Sequence, residues 1–244
     1  MDHGYVFLVF ASTMLIYSIH RIVGIDRVSS LKHSGRFAVI RNCKNHIKVY
    51  IVLSTLGCGA ALLVTDIEAL KLMLPIGLIS LGYVIPFLPG KRRLRDIHYV
   101  KIILIAVAWA YVATIPLLAS GLHFSELWVG FLEKVIFIFL ITLPFDIRDM
   151  RIDEEGGLLT IPIEIGLKNT YRICYGLLTT GILLFFLQII GVAISTEIII
   201  SGFIIYGLTH LAIELTKNKQ NDFYYSGLLD GTLVMRGIVV CMVF

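Results

Sequence analysis

With 244 residues, 57% of them apolar, and a mean hydropathy of +0.87, the chain is too apolar for a water-soluble domain of its length. Its net charge of +4 is explained below by membrane topology and needs no nucleic acid. The four cysteines, Cys43, Cys58, Cys174 and Cys241, have no paired spacing, so neither a zinc site nor a disulfide framework is indicated. Apolar stretches of about 18 residues or more read as transmembrane helices. In chain order they fall near 5–22, 47–65, 69–88, 98–119, 124–145, 170–193, 196–215 and 224–244. These spans predict one all-α, polytopic membrane domain over residues 1–244, with short loops and no separate soluble part. Strands are excluded, because lipid offers no partners for open backbone edges and no alternating pattern suggests a barrel. The first span follows Met1 without a basic n-region or a small-residue cleavage site, so it does not read as a removable signal.

Basic residues cluster on alternate loops. Arg21, Arg27, Lys32, Arg36, Arg41, Lys44 and Lys48 follow the first span, and Lys91, Arg92, Arg93, Arg95 and Lys101 follow the third. Arg148, Arg151, Lys168 and Arg172 follow the fifth, with Lys217 and Lys219 after the seventh. These loops are expected to face the cytoplasm, which puts both termini on the opposite side. The outer loops carry Asp66, Glu68, Glu126 and Glu197, with Lys71 the basic residue near them.

Where the fifth span meets its basic loop, the chain reads Asp146-Ile147-Arg148-Asp149-Met150-Arg151-Ile152-Asp153. Spacings of three and then four residues put the three carboxylates on one helical face, at roughly 0°, 300° and 340° around the axis. Three like charges there repel unless a cation joins them, and hard carboxylate oxygens beside a membrane suit Mg²⁺ with substrate phosphates. The other reading is a solvated helix end whose acids pair with Arg148 and Arg151. Deeper in the bilayer, Glu133 and Lys134 on the fifth span and Arg236 on the eighth lie at similar depth, so a Glu133–Arg236 pair is geometrically possible. Asp230 lies nearer the cytoplasmic half and is expected either to pair between helices or to touch a ligand.

The aspartate run, followed by Thr160-Ile161-Pro162-Ile163-Glu164-Ile165-Gly166, resembles the second aspartate-rich motif of the UbiA-type intramembrane prenyltransferase superfamily. The stretch Gly82-Tyr83-Val84-Ile85-Pro86 with the basic run Lys91 to Arg95 resembles that family's tyrosine-and-basic segment. The resemblance implies helices bundled around a central cavity and Mg²⁺-dependent transfer of a prenyl group from an isoprenyl diphosphate to an aromatic or other lipophilic acceptor. It implies Asp146, Asp149 and Asp153 as catalytic, metal-holding carboxylates, with Asp26 as a further ligand. It also implies Arg21, His20, Tyr83, Lys91, Arg95, Arg148 and Asp230 as substrate contacts. Two departures stand out. The first motif is reduced to Asp26, with Ile19 and Ile22 where carboxylates are expected, and the chain reads as starting at the family's second helix. Arg21 and His20 are then expected to meet phosphate directly, although a topology-setting charge and an interfacial imidazole are the simpler roles. Tyr83 reads equally as part of an interfacial aromatic belt. The partners implied are the diphosphate, the acceptor and membrane lipid. Two alternatives remain: a catalytically degenerate UbiA-like protein that still binds isoprenoid, and a small transporter. The transporter is disfavoured because Pro75 and Pro116 do not occupy matching places in the two halves.

Overall fold

The computed structural model describes residues 2–25, 40, 42–90, 92–189, 196–218 and 223–243. Among them are nine α-helices: α1 (His3–Ile25), α2 (Lys44–Leu62), α3 (Ile67–Val84), α4 (Val100–Val112), α5 (Ile115–Ala119), α6 (Phe124–Glu155), α7 (Ile161–Ile189), α8 (Thr196–Asn218) and α9 (Asp230–Val243). A 3₁₀ turn at Leu94–Asp96 precedes α4, and a π-helical turn at Phe223–Leu229 leads into α9. The expected all-α class holds, and among the described residues each predicted span overlaps a helix, several running a few residues past its end. Six segments are long and apolar enough to cross a bilayer. Of the remaining two, α2 opens with Lys44, His46 and Lys48, while α9 has only 14 residues and needs the π turn to lengthen it.

The chain divides into two compact units. The first comprises residues 1–101, 111–124 and 154–158. Here α1 packs along α2 and touches α3, and α3 packs on α5 and the 3₁₀ turn. Its core gathers Tyr5, Ala69 and Ile115, with Leu72, Met73 and Tyr111 packed around them. Asp2 ties the unit together, accepting from the backbone N–H groups of Gly4 (2.8 Å) and Asp66 (3.1 Å). Asp66 in turn caps α3 by accepting from Glu68 and Ala69. Next to this junction α1 comes so close to the end of α2 that a Cβ on Gly4 would sit 2.7 Å from Val64 O and 2.9 Å from Thr65 N. Backbone cannot swing aside as a side chain can. Gly4→Ala is therefore expected to cost about 1–3 kcal/mol, read as a lower melting temperature in detergent. Gly59→Ala, where nothing lies within 4 Å, is expected to leave the melting temperature unchanged or raised; equal losses in the two variants would refute the close approach.

The second unit comprises residues 102–110, 125–153 and 159–244. Its centre is α6, whose buried positions Gly130, Glu133, Phe137, Leu140, Ile141, Pro144 and Ile147 recur every three or four residues. Leu140, Leu143 and Ile147 pack with Tyr171 and Cys174 of α7, Ala212 and Ile213 of α8, and Tyr225 and Leu229 of the π turn. Pro144 removes one helical hydrogen bond just before Asp146, a break that membrane helices tolerate where neighbouring groups satisfy the freed carbonyl. Buried hydroxyls bond back to their own helices, as Thr209 does to Ile205 O and Thr170 to Gly166 O, both at 2.8 Å. Leu183, Phe203 and Leu211 project outward, as helices solvated by lipid require.

Candidate functional site

The aspartate face lies on the last turns of α6. Asp146 is 2% exposed and Asp153 8%, so two of the three carboxylates are buried. Asp149 is half-buried and turns to Arg148, which donates from Nε at 2.9 Å and from Nη2 at 3.3 Å. Adjacent helical residues rarely meet. Here they do, and the guanidinium is also held near two rings, 4.8 Å from the Phe145 centroid and 5.4 Å from that of Tyr225. Tyr225 is fully buried in the π turn, and such turns recur at functional sites. Asp230 stands at the exposed start of α9, directly after that turn.

The Thr160–Gly166 run has a clear local role. Thr160 is buried, and its hydroxyl has no hydrogen-bond partner among the described residues. Pro162 sits in the first turn of α7, where a missing N–H costs nothing. Gly166 breaks the helix at φ 76°, ψ 164°, a backbone region open almost only to glycine. A one-turn helix next to the aspartates is thereby set off from the long membrane segment of α7.

Among the described residues, no group of three or more His, Cys, Asp or Glu side chains is gathered as a ready-made metal cage. Mg²⁺ does not need one, since it takes one or two carboxylates and completes its shell with substrate phosphates and water. The donor chemistry of Asp146, Asp149 and Asp153 on one face fits that habit.

The first unit holds the other expected contacts. His20 of α1 meets Arg95, whose Nη1 lies 3.0 Å from Nδ1 and 2.5 Å from Nε2. Arg95 also stands 5.3 Å from the Tyr83 ring centroid, and Tyr83 packs edge-on against His20. Arg21, one position on, is exposed. Asp26 and Lys91 lie outside the described residues. Arg93, named beforehand only as one of a basic run, proves buried and doubly bonded to Asp96, from Nε at 3.1–3.2 Å and from Nη2 at 2.8 Å. A hairpin-like loop closed by the Leu88–Arg92 bridge presents this cluster, with Gly90 at φ 75° making the turn. Tyr99, just beyond, takes the left-handed φ of 62°, uncommon for so large a side chain.

Sequence reasoning missed Tyr225, and named Thr160 only as the start of the run that ends at Gly166. A π turn leaves no periodic signature, and a threonine ahead of a proline looks like an ordinary helix start. It also missed an interfacial group on α7 and α8, where Tyr175 donates to Glu214 and the Lys217 ammonium lies 5.7–5.8 Å from the Tyr175 and Tyr171 rings.

Comparison with known proteins follows the same lines. The sequence model described as the UbiA prenyltransferase family matches residues 43–224. Structures of a UbiA homolog from Archaeoglobus fulgidus share the fold. The form bound to GPP and Mg²⁺ superposes with a TM-score of 0.69 at 14% identity, covering 98% of this chain and 85% of that one. The form bound to DMAPP and Mg²⁺ gives 0.66 at 14% identity with the same coverage. A form bound to Cd²⁺ gives 0.63 at 15% identity, over 98% and 84% of the two chains. No curated protein is similar enough to count as a relative.

Proposed function

The chain belongs to the UbiA prenyltransferase family, and from that premise we propose that it transfers a prenyl group from an isoprenyl diphosphate to a lipophilic acceptor, with Mg²⁺, at the cytoplasmic membrane face. The family supports a multi-pass prenyltransferase in general terms. The observation that carries the specific reading is the aspartate face of α6, with Asp146 and Asp153 buried at its ends. Three carboxylates on one helical face repel one another, and a divalent cation turns that repulsion into attraction. A divalent cation that completes its shell with diphosphate oxygens would bring positive charge to that face. The fold's likeness to a protein with GPP or DMAPP and Mg²⁺ bound supports the donor class.

In this reading Asp146, Asp149 and Asp153 would hold the metal, whose positive charge would offset that of the pyrophosphate. The allylic carbon–oxygen bond of the donor breaks, and its electron pair leaves with pyrophosphate. The acceptor's nucleophilic atom forms the new bond to that carbon and gives up its proton to the released pyrophosphate. Arg148, held near Phe145 and Tyr225, fixes the orientation of Asp149 and keeps a permanent charge beside the leaving group. The alternating basic loops support the cytoplasmic placement of this end and a non-cytoplasmic placement of both termini.

The isoleucines at 19 and 22 favour a second reading, an isoprenoid-binding protein without turnover. One experiment separates the two. Protein in detergent, given geranylgeranyl diphosphate, Mg²⁺ and a panel of quinone, chlorin and glycerol-phosphate acceptors, is expected to release pyrophosphate and to stop on chelation. Thermal stabilisation by the diphosphate without any release would establish the silent binder; no stabilisation by any isoprenyl diphosphate would defeat both readings.

A further inference from the structure

The interfacial group on α7 and α8 has the make-up of an ammonium cage. Tyr171 and Tyr175 stand one turn apart on α7, and both rings meet the last turn of α8. The Lys217 ammonium lies 5.8 Å from the Tyr171 centroid and 5.7 Å from that of Tyr175. Glu214 supplies another side: its Oε1 accepts from the Tyr175 hydroxyl, and its Oε2 stands 3.9 Å from the ammonium. Aromatic rings joined by a carboxylate are the parts from which proteins build sites for ammonium ligands.

Lys217 fills this cage loosely. The guanidinium carbons of Arg236 and Arg148 come to 4.4 and 4.8 Å from ring centroids, and Lys71 meets Glu68 at 2.7 Å. An ammonium 3.9 Å from a carboxylate oxygen makes no hydrogen bond to it. The Lys217 and Glu214 side chains are 47% and 36% accessible, so the cage opens outward. Holding a long, flexible side chain in so weak a contact gains little, and a separate ammonium can take its place. Both helices are long and apolar enough to cross a bilayer, and the cage sits at their adjoining ends. That is the level at which a bilayer presents its headgroups.

We infer that Tyr171, Tyr175 and Glu214 bind the primary ammonium of a zwitterionic phospholipid headgroup, with Lys217 as a tethered stand-in that the headgroup displaces. Charge balance selects this occupant. An ethanolamine headgroup carries an ammonium and a phosphate joined by a short carbon chain. Its ammonium replaces that of Lys217 beside Glu214, and its phosphate meets the displaced Lys217, so every charge keeps an opposite partner. An anionic headgroup without an amine would meet Lys217 alone and would bring its phosphate towards Glu214. The stand-in is itself a primary amine, which is the kind of group the cage already holds. The site is independent of the prenyl-transfer reading.

The test is native mass spectrometry of the full chain in detergent, titrated with phosphatidylethanolamine and, separately, with phosphatidylglycerol of the same acyl chains. The wild type is expected to bind phosphatidylethanolamine roughly fivefold more tightly, the scale of one exposed ammonium–ring contact. Glu214→Gln and Tyr175→Leu are each expected to bring the two lipids to equal affinity. Glu68→Gln, which alters an exposed pair in the first unit, is expected to keep the preference. Melting curves without lipid identify any variant that fails to fold, in which case the other variant and the wild-type ratio carry the comparison. Equal binding of the two lipids by the wild type, or tighter binding of phosphatidylglycerol, overturns the inference. So does a preference that survives Glu214→Gln, or one that Glu68→Gln removes as well.

Discussion

Asp149→Asn is expected to remove the stabilisation that an isoprenyl diphosphate with Mg²⁺ gives the protein, while leaving the ligand-free melting temperature within a degree or two. The two halves of this result have separate causes. The Arg148–Asp149 pair is partly exposed, with side chains 16% and 19% accessible, and such pairs contribute about 0–1 kcal/mol. Arg148 keeps its place near Phe145 and Tyr225 when the carboxylate becomes an amide, so the fold loses little. An amide oxygen carries no net charge to hold a divalent cation, so the ligand loses much. At a ligand concentration a hundredfold above Kd, the wild type gains about 2.7 kcal/mol, and that gain is what the variant forfeits. Turnover should fall by roughly 10²–10³, the usual consequence of deleting one transition-state electrostatic contact. Asp146→Asn and Asp153→Asn should lose the same ligand response. An Asp149→Asn protein stabilised as strongly as wild type would remove the metal-holding role from the α6 face and leave a helix end paired with its own arginine.

The parts of the molecule that lipid dictates were readable in advance. The α1, α3 and α8 spans follow from apolar length alone, because a bilayer admits only segments that satisfy their own backbone. The pairing of Glu133 with Arg236 followed from depth: counting residues from each helix entry placed them at one level, and an unpaired charge there is expensive. Rotation about the helix axis was not readable. Hence Tyr206, third member of that group, came only from the structure. At the candidate site the spacing of Asp146, Asp149 and Asp153 survives, but their burial differs, because Pro144 and the packing of Tyr225 decide which carboxylate turns inward. The π turn escaped notice because its extra residue per turn breaks the periodic pattern used to find helices. Basic residues at 93 and 95 read alike in sequence; one is a buried partner of Asp96 and the other a half-buried neighbour of His20.

The intramembrane triad should give the largest stability changes in the molecule. Glu133 is 1% exposed and accepts from both the Tyr206 hydroxyl and Arg236 Nη2. The Arg236 guanidinium is also held 4.4 Å from the Phe137 centroid. Removing one member of a buried pair strands the other, at about 3–5 kcal/mol. Glu133→Ala and Arg236→Met are each expected to fall in that range by denaturation in mixed detergent. Glu133→Leu combined with Arg236→Met leaves no charge to strand, and should recover most of the loss, to within about 1–2 kcal/mol of wild type. Tyr206→Phe deletes a single hydrogen bond and should cost about 0.6 kcal/mol, the average for such bonds in membranes. The sign of the coupling is the decisive quantity. A double-mutant cycle in which the two single losses simply add would mean that each charge finds another partner when its mate is removed. Lys134 makes that a real contest, because its ammonium, one residue along α6, already bonds to Gly130 O at 3.1 Å and would have to leave that carbonyl to reach Glu133.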